Sequence, residues 1–313
     1  MKTILVTGSA GFIGFHTSKR LLERGDKIVG IDNLNDYYDV SLKKARLKEL
    51  EKFKNFKFYK QDVSEGIKID EKIDEICHLA AQAGVRYSIE NPLAYEKTNM
   101  LGTLQVFEFA RHNNIPSVIY ASSSSVYGNN KDAPFNEKMQ LDKPISLYAA
   151  TKKANELYAY TYHYLYGINM TGLRFFTVYG PWGRPDMALF KFTKNILEDK
   201  QIDVYNSGKM KRDFTYIDDI VQGIILALDK ESKFEIFNLA RGKTIELIDF
   251  IKAIENSIGK VADKNMMPMQ AGDVLLTSGD ITHAREILEY SPKVSIKEGV
   301  ESFVCWYKKY YKR

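Results

Sequence analysis

Short apolar runs rich in β-branched residues alternate with amphipathic stretches through the first 240 residues. "TILVTG", "KIVGID", "FKFYKQD", "EICHLAA", "SVIYASS", "MTGLRFF" and "EIFNLA" read as strands, several of them nearly continuously apolar, as a sheet covered on both faces requires. Between them, "FHTSKRLLERG", "TLQVFEFARHN" and "LYAATKKANELYAYTYHYLYG" read as helices. This alternation predicts an α/β fold with a doubly wound parallel sheet. After about residue 181 the rhythm changes, with Pro/Gly loops at "GPWGRPD" and "YNSGKMKRD", and a smaller lobe is expected there. Since "FTYIDDIVQGIILALDK" and "EIFNLA" look like one more helix and strand of the sheet, the two lobes should interleave in sequence. The expected division is 1–180 for the sheet domain, with 213–241 returning to it, and 181–313 mainly for the smaller lobe.

Composition narrows the function classes. A chain of 313 residues, 44% of them hydrophobic, can bury a substantial core. The net charge of +5 comes from 34 Lys against 11 Arg spread along the whole chain. That is a solvated surface rather than the basic stripe of a nucleic-acid binder, although it suits an anionic small molecule. The locally basic and aromatic tail "WYKKYYKR" reads as an amphipathic terminal helix. Cys77, Cys305 and five scattered histidines form neither a disulfide framework nor a metal spacing, so no metal is expected. With no signal-peptide pattern and no window of about 18 apolar residues, the protein is expected to be soluble and cytoplasmic, with no membrane partner.

The first chemical signal is "VTGSAGFIG", which places Gly8, Gly11 and Gly14 between the first strand and the first helix. Glycines there allow a tight turn, close approach of backbone N–H groups to a pyrophosphate, and close packing of helix on strand. The strand-turn-helix context makes this a Rossmann-like dinucleotide loop, with Phe12 and Ile13 opening the helix. Asp32 ends the second strand, 18 residues after Gly14, where a carboxylate would accept hydrogen bonds from an adenosine ribose. Its charge would repel a 2′-phosphate, and no Arg follows before Arg46, so NAD is expected rather than NADP.

The second signal is "ASSSSVYG" after the fifth strand, followed about 25 residues later by Tyr148 and Lys152 at i and i+4 of a helix. The spacing alone is uninformative in a chain with 20 Tyr and 34 Lys, and it recurs at Tyr205 and Lys209 across a "NSG" turn. Context selects the first pair, since ligands of open α/β sheets bind at the carboxyl ends of the strands.

Together, "TGSAGFIG", "HLAAQAGVR", "SSSVYG", "YAATK" and "RDFTYIDD" resemble the extended short-chain dehydrogenase/reductases over essentially the whole chain. Within them the chain is most similar to the NAD-dependent nucleotide-sugar 4-epimerases. "LRFFTVYGPWGRPDMA" resembles the UDP-glucuronate 4-epimerase branch. The resemblance implies Ser123, Tyr148 and Lys152 as the catalytic set. Tyr148 would be the base on the sugar 4-hydroxyl, with its pKa lowered by Lys152 and the oxidised nicotinamide. Ser123 would hold the 4-oxygen, while Ser122 supports the strand end or the cofactor. It also implies Asn33, Asp62, Val63, Leu79, Ala80, Ala81 and Asn99 around adenine and ribose. For Val63, Leu79 and the alanines, core packing explains the sequence equally well.

For the substrate, the resemblance places Ser124, Ser125, Thr177 and Arg184 at the sugar and its carboxylate, Arg86 and Arg212 near the diphosphate, and Asp273 at the uridine ribose. Leu189, Tyr205 and Gln270 complete that list, Gln270 standing where galactose epimerases place a second phosphate-binding Arg. Related decarboxylases and dehydratases carry an acidic residue where this chain has Ser125, which favours epimerisation. The lobe 181–313 is then mainly nucleotide-sugar binding, and the helices from Asn91 and from Tyr148 would form a four-helix homodimer interface. The expected reaction is conversion of UDP-glucuronate to UDP-galacturonate through a 4-keto sugar. A 4-epimerase of UDP-glucose or a UDP-N-acetylhexosamine, a UDP-glucuronate decarboxylase, and a non-catalytic dinucleotide-sensing regulator are the alternatives.

Overall fold

The computed structural model describes residues 1–230, 232–269 and 274–313. All seven runs read as strands become strands of one sheet: β1 (Thr3–Thr7), β2 (Lys27–Asp32), β3 (Phe56–Lys60), β4 (Glu75–His78), β5 (Ser117–Ser123), β6 (Asn169–Phe175) and, much later in the chain, β11 (Phe234–Leu239). Their order is β11-β6-β5-β4-β1-β2-β3, and every neighbouring pair is parallel. The strand order reverses between β1 and β4, which leaves a crevice at their carboxyl ends. Successive β1 side chains enter different cores: Ile4 and Val6 pack with Phe15 and Leu21, Leu5 with Val106 and Phe107.

The helices on the two faces are α1 (Phe12–Arg24), α2 (Val40–Leu50), the short α3 (Tyr87–Glu90) and α4 (Pro92–Tyr95), α5 (Gly102–His112) and α6 (Leu147–Tyr166). The segment from Asn91 to Asn113, read as one helix, is interrupted by a π-helical stretch at Glu96–Leu101. Tertiary bonds explain the break. Asn99 accepts from Gln82 N (2.8 Å) and donates to Gln82 O and Thr151 Oγ1, while its own carbonyl accepts from Asn155 Nδ2 (2.8 Å).

Beyond residue 176 the strands are short: β7 (Thr177–Tyr179) with β10 (Phe214–Tyr216), β8 (Ile202–Tyr205) with β13 (Lys264–Met267), and β9 (Lys211–Arg212) with β12 (Ile245–Glu246). Around them stand α7 (Ala188–Leu197), α8 (Ile217–Asp229), α9 (Leu247–Ile258), α10 (Thr282–Leu288) and α11 (Ile296–Tyr311). Phe214 stacks on Phe250 at 4.0 Å, and Phe190 meets the α11 aromatics Phe303, Trp306 and Tyr307. The basic tail is therefore a helix buried along an aromatic stripe. The chain leaves the sheet after β6 and rejoins it through α8 and β11.

Candidate active site

A cavity of about 460 Å³ opens at the carboxyl ends of the strands. The glycine loop forms one part of its wall, through Gly8, Gly11, Phe12, Ile13 and Gly14. Gly8 has φ +72°, and a side chain there would press on the backbone of Ala80 at 2.8 Å. A Cβ on Gly14 would collide with the Gly8 carbonyl oxygen. Gly11 caps α1 with no side-chain hydrogen bond to the first N–H groups of the helix, and the first-turn residues Phe12, Ile13 and Gly14 line the cavity.

At the end of β2, Asp32 lines the cavity and accepts from Leu34 N (2.8 Å) and Ala10 N (3.2 Å). Burial pushes its carboxyl above the ordinary value, against Lys43 and these two N–H groups. Asn33, Asp62, Val63, Leu79, Ala80 and Ala81 line the same region, with Asn33 Nδ2 donating to Asp62 at 3.3 Å. Asn99 lies beneath it, fully buried with its side chain consumed by Gln82 and Thr151. A nicotinamide dinucleotide fits these groups: backbone N–H donors at a helix N-terminus, glycines that exclude side chains, and beyond them a carboxylate that accepts hydrogen bonds.

Ser122 to Ser125, Tyr148 and Lys152 line the cavity next to this loop. Ser146 caps α6 by accepting from Ala149 N at 3.1 Å, which starts the helix at Leu147, one residue before Tyr148. The Tyr148 hydroxyl is in hydrogen-bonding reach of Ser123, and its ring stands edge-on to Tyr95 with centroids 6.0 Å apart. Burial raises the Tyr148 pKa, and the Ser123 bond and the Arg184 charge only partly offset it. The lowering expected from Lys152 is not present in the protein alone. Instead Lys152 Nζ donates to the Ala121 carbonyl at 2.8 Å, and burial brings the ammonium down to about 8.

Thr177, Arg184 and Arg212 also line the cavity. Arg184 Nε donates to Asp186 Oδ1 at 3.0 Å and Nη2 donates to Oδ2, while Tyr37 donates to Oδ2 at 3.2 Å. Burial opposes the Arg184 charge, but Asp186 more than restores it, leaving the guanidinium above its ordinary value. Leu189 lies in a small apolar pocket beside Arg184 rather than in the main cavity. Arg86 is exposed and stacks on Tyr205 with its guanidinium carbon 4.9 Å from the ring centre, so this pair bridges β8 and the loop after β4 outside the cavity lining. Gln270 and Asp273 lie outside the described residues.

Sequence reasoning missed Tyr37, Lys43 and Asp186, which all line the cavity. Lys43 Nζ donates to Asn35 O at 2.8 Å and its charge reaches Asp32. Arg46 is fully buried against Ala10 O and Trp182 O, so it does not reach the cavity. Among the described residues, no group of His, Cys, Asp and Glu could hold a metal, and no helix is long and apolar enough to cross a membrane.

Residues 4–240 match the NAD dependent epimerase/dehydratase family. The chain belongs to that family. An uncharacterised protein of Methanocaldococcus jannaschii is 56% identical over 98% of this chain and 96% of its own length. UDP-glucuronate 4-epimerase 4 of Arabidopsis thaliana is 45% identical over 99% of this chain and 76% of its own. Among solved structures, a UDP-glucuronic acid 4-epimerase from Bacillus cereus in complex with UDP-glucuronic acid and NAD superposes with a TM-score of 0.92. It is 36% identical, and the match covers 99% of this chain and 100% of that one. These relatives place the seven-stranded sheet and its cavity within the epimerase/dehydratase family.

Proposed function

We propose that this protein is a UDP-glucuronate 4-epimerase that interconverts UDP-glucuronate and UDP-galacturonate through a transient 4-keto sugar. One observation carries the reading: Ser123, Tyr148 and Lys152 share a single cavity with a fixed guanidinium, Arg184, while the glycine loop forms the adjoining wall. The glycine loop and the α1 N-terminus would hold the pyrophosphate of NAD, and Asp32 its adenosine ribose. When bound, NAD supplies reversible oxidation at the sugar C4.

The chain's own residues then do the following. Tyr148 takes the proton of the 4-hydroxyl and returns it, and Ser123 holds the 4-oxygen in line. Lys152 would hold the nicotinamide ribose and would supply positive charge toward the phenolate. Arg184, with Thr177, Ser124 and Ser125, receives the sugar carboxylate, a directional pairing that separates an acidic sugar from a neutral hexose. Arg212 meets the diphosphate. Ser125 is uncharged, so it offers no acid for chemistry at C5 or C6 while the ketone stands β to the carboxylate. The division into 1–180 with 213–241, and 181–313, follows the same roles.

The outward faces of α5 and α6 carry Leu104, Leu157, Tyr160, Tyr164 and Leu165, exposed by 36–76%. A second copy of the chain would cover these side chains in a four-helix interface. The enzyme acts in the cytoplasm on this reading. Parallel incubations with UDP-glucuronate, UDP-glucose and UDP-N-acetylglucosamine test the substrate. Turnover of the first should exceed the others by at least about 100-fold, in line with a site built for a charged group, and equal turnover of all three overturns the assignment.

A further inference from the structure

Three side chains of α6 stand four residues apart on one face: Tyr148, Lys152 and Glu156. Each reaches a different residue of the β5 end. Tyr148 approaches Ser123, Lys152 Nζ bonds the Ala121 carbonyl, and Glu156 Oε1 accepts from Ser122 Oγ at 2.7 Å. The first two belong to the proposed machinery, whereas Glu156 lies outside the cavity and is only 2% exposed.

We propose that Glu156 is a positioning residue that fixes the register between the helix carrying Tyr148 and Lys152 and the strand end carrying Ser123. Its carboxylate is held on every side. Arg174 on β6 donates from Nε to Oε1 (2.8 Å) and from Nη2 to Oε2 (2.9 Å), and Lys153 adds a bond to Oε2 (3.1 Å). Arg174 lies directly opposite Ser122 in the β5–β6 ladder. Its third donor, Nη1, reaches the Tyr127 hydroxyl at 2.9 Å, and Tyr127 donates to Asn238 Oδ1 on β11 at 2.7 Å. The network therefore clamps both ends of the turn from Ser122 to Tyr127 that presents Ser123, Ser124 and Ser125.

A buried ion pair is a poor source of stability compared with well-packed apolar residues, but it is strongly directional. Here the direction is useful, because Ser122 spends its hydroxyl on Glu156 and thereby fixes the backbone from which Ser123 projects. A displacement of about 1 Å between reacting groups can cost about 100-fold in rate. The proposal rests on the reading of Tyr148 and Ser123 as the groups acting on the sugar 4-oxygen.

The test compares Ser122→Ala, which removes one bond and leaves the Glu156–Arg174 pair intact, with Glu156→Gln, which keeps an acceptor for Ser122 but leaves Arg174 buried beside a neutral amide. Turnover of UDP-glucuronate, its KM, retained NAD and Tm are measured, with Tyr148→Phe alongside. Ser122→Ala should lose about tenfold in kcat, part of the cost of misplacement, with KM and bound NAD unchanged. Glu156→Gln should have the lower Tm of the two and yet the higher kcat when assayed well below that Tm. A kcat for Ser122→Ala within twofold of the parent, or a kcat that simply follows Tm across both variants, overturns the positioning role. Full turnover by Tyr148→Phe overturns instead the catalytic reading beneath it.

Discussion

Two cations line the same cavity and are held in opposite ways. Lys152 is almost fully buried and donates to a carbonyl oxygen, and burial lowers its pKa to about 8. Arg184 is partly exposed to the cavity and grips the carboxylate of Asp186 through two donors, so its charge is secured above the ordinary arginine value. The difference separates chemistry from recognition. A lysine stabilised by a neutral dipole can gain or lose its charge near physiological pH, whereas an arginine paired side-on keeps its charge and its orientation. Because Asp186 occupies the Nε–Nη2 edge, the Nη1–Nη2 edge is the one left for a second carboxylate.

The largest effect should come from the base that stands in the same cavity as both cations. Tyr148→Phe removes only a hydroxyl, and kcat should fall by about 1,000-fold, within the range for loss of general acid–base catalysis, while NAD and UDP-sugar binding persist by equilibrium titration. Arg184→Met should reduce kcat/KM for UDP-glucuronate by about 100-fold, the scale of a lost charged hydrogen-bond pair. Competition assays should show UDP-glucose affected by no more than a few-fold. An equal loss for both sugars would erase the distinction between the two cations.

The pH dependence sharpens it. Lys152 is a cation below about 8 and neutral above, while burial keeps the Tyr148 base mostly protonated throughout, so kcat should rise toward pH 8 as more Tyr148 ionises and level off above it as Lys152 loses its charge. Arg184 does not titrate in that range, so KM for UDP-glucuronate should stay flat from pH 6 to 9. The smallest effect belongs to Tyr37→Phe, which removes one bond to Asp186. It should raise KM by about threefold, the low end of a hydrogen bond's net worth, because it acts on the substrate only through Asp186 and Arg184, without changing kcat.

The sheet was legible because its strands are short runs rich in apolar residues, several of them nearly continuous, and all seven stand where those runs lie. The π-helical stretch at Glu96–Leu101 was not, since it is created by bonds from Gln82, Thr151 and Asn155 rather than by local propensity. Similarly, the glycine loop and the serine turn are local in sequence and announce themselves. The Tyr37–Asp186 contact joins residues 149 apart, and Lys43 reaches the region of Asp32 from α2, which packs against α1. Asn99 shows the reverse, a residue expected at the cofactor that the fold uses to hold two segments together.

The most direct measurement uses purified protein with UDP-glucuronate carrying deuterium at C4, no added NAD, and proton NMR of the products. The account predicts UDP-galacturonate in an equilibrium mixture, deuterium retained at C4, and no net NADH. A UDP-pentose with carbon dioxide, or UDP-galacturonate that has exchanged its C4 label with solvent, would contradict it.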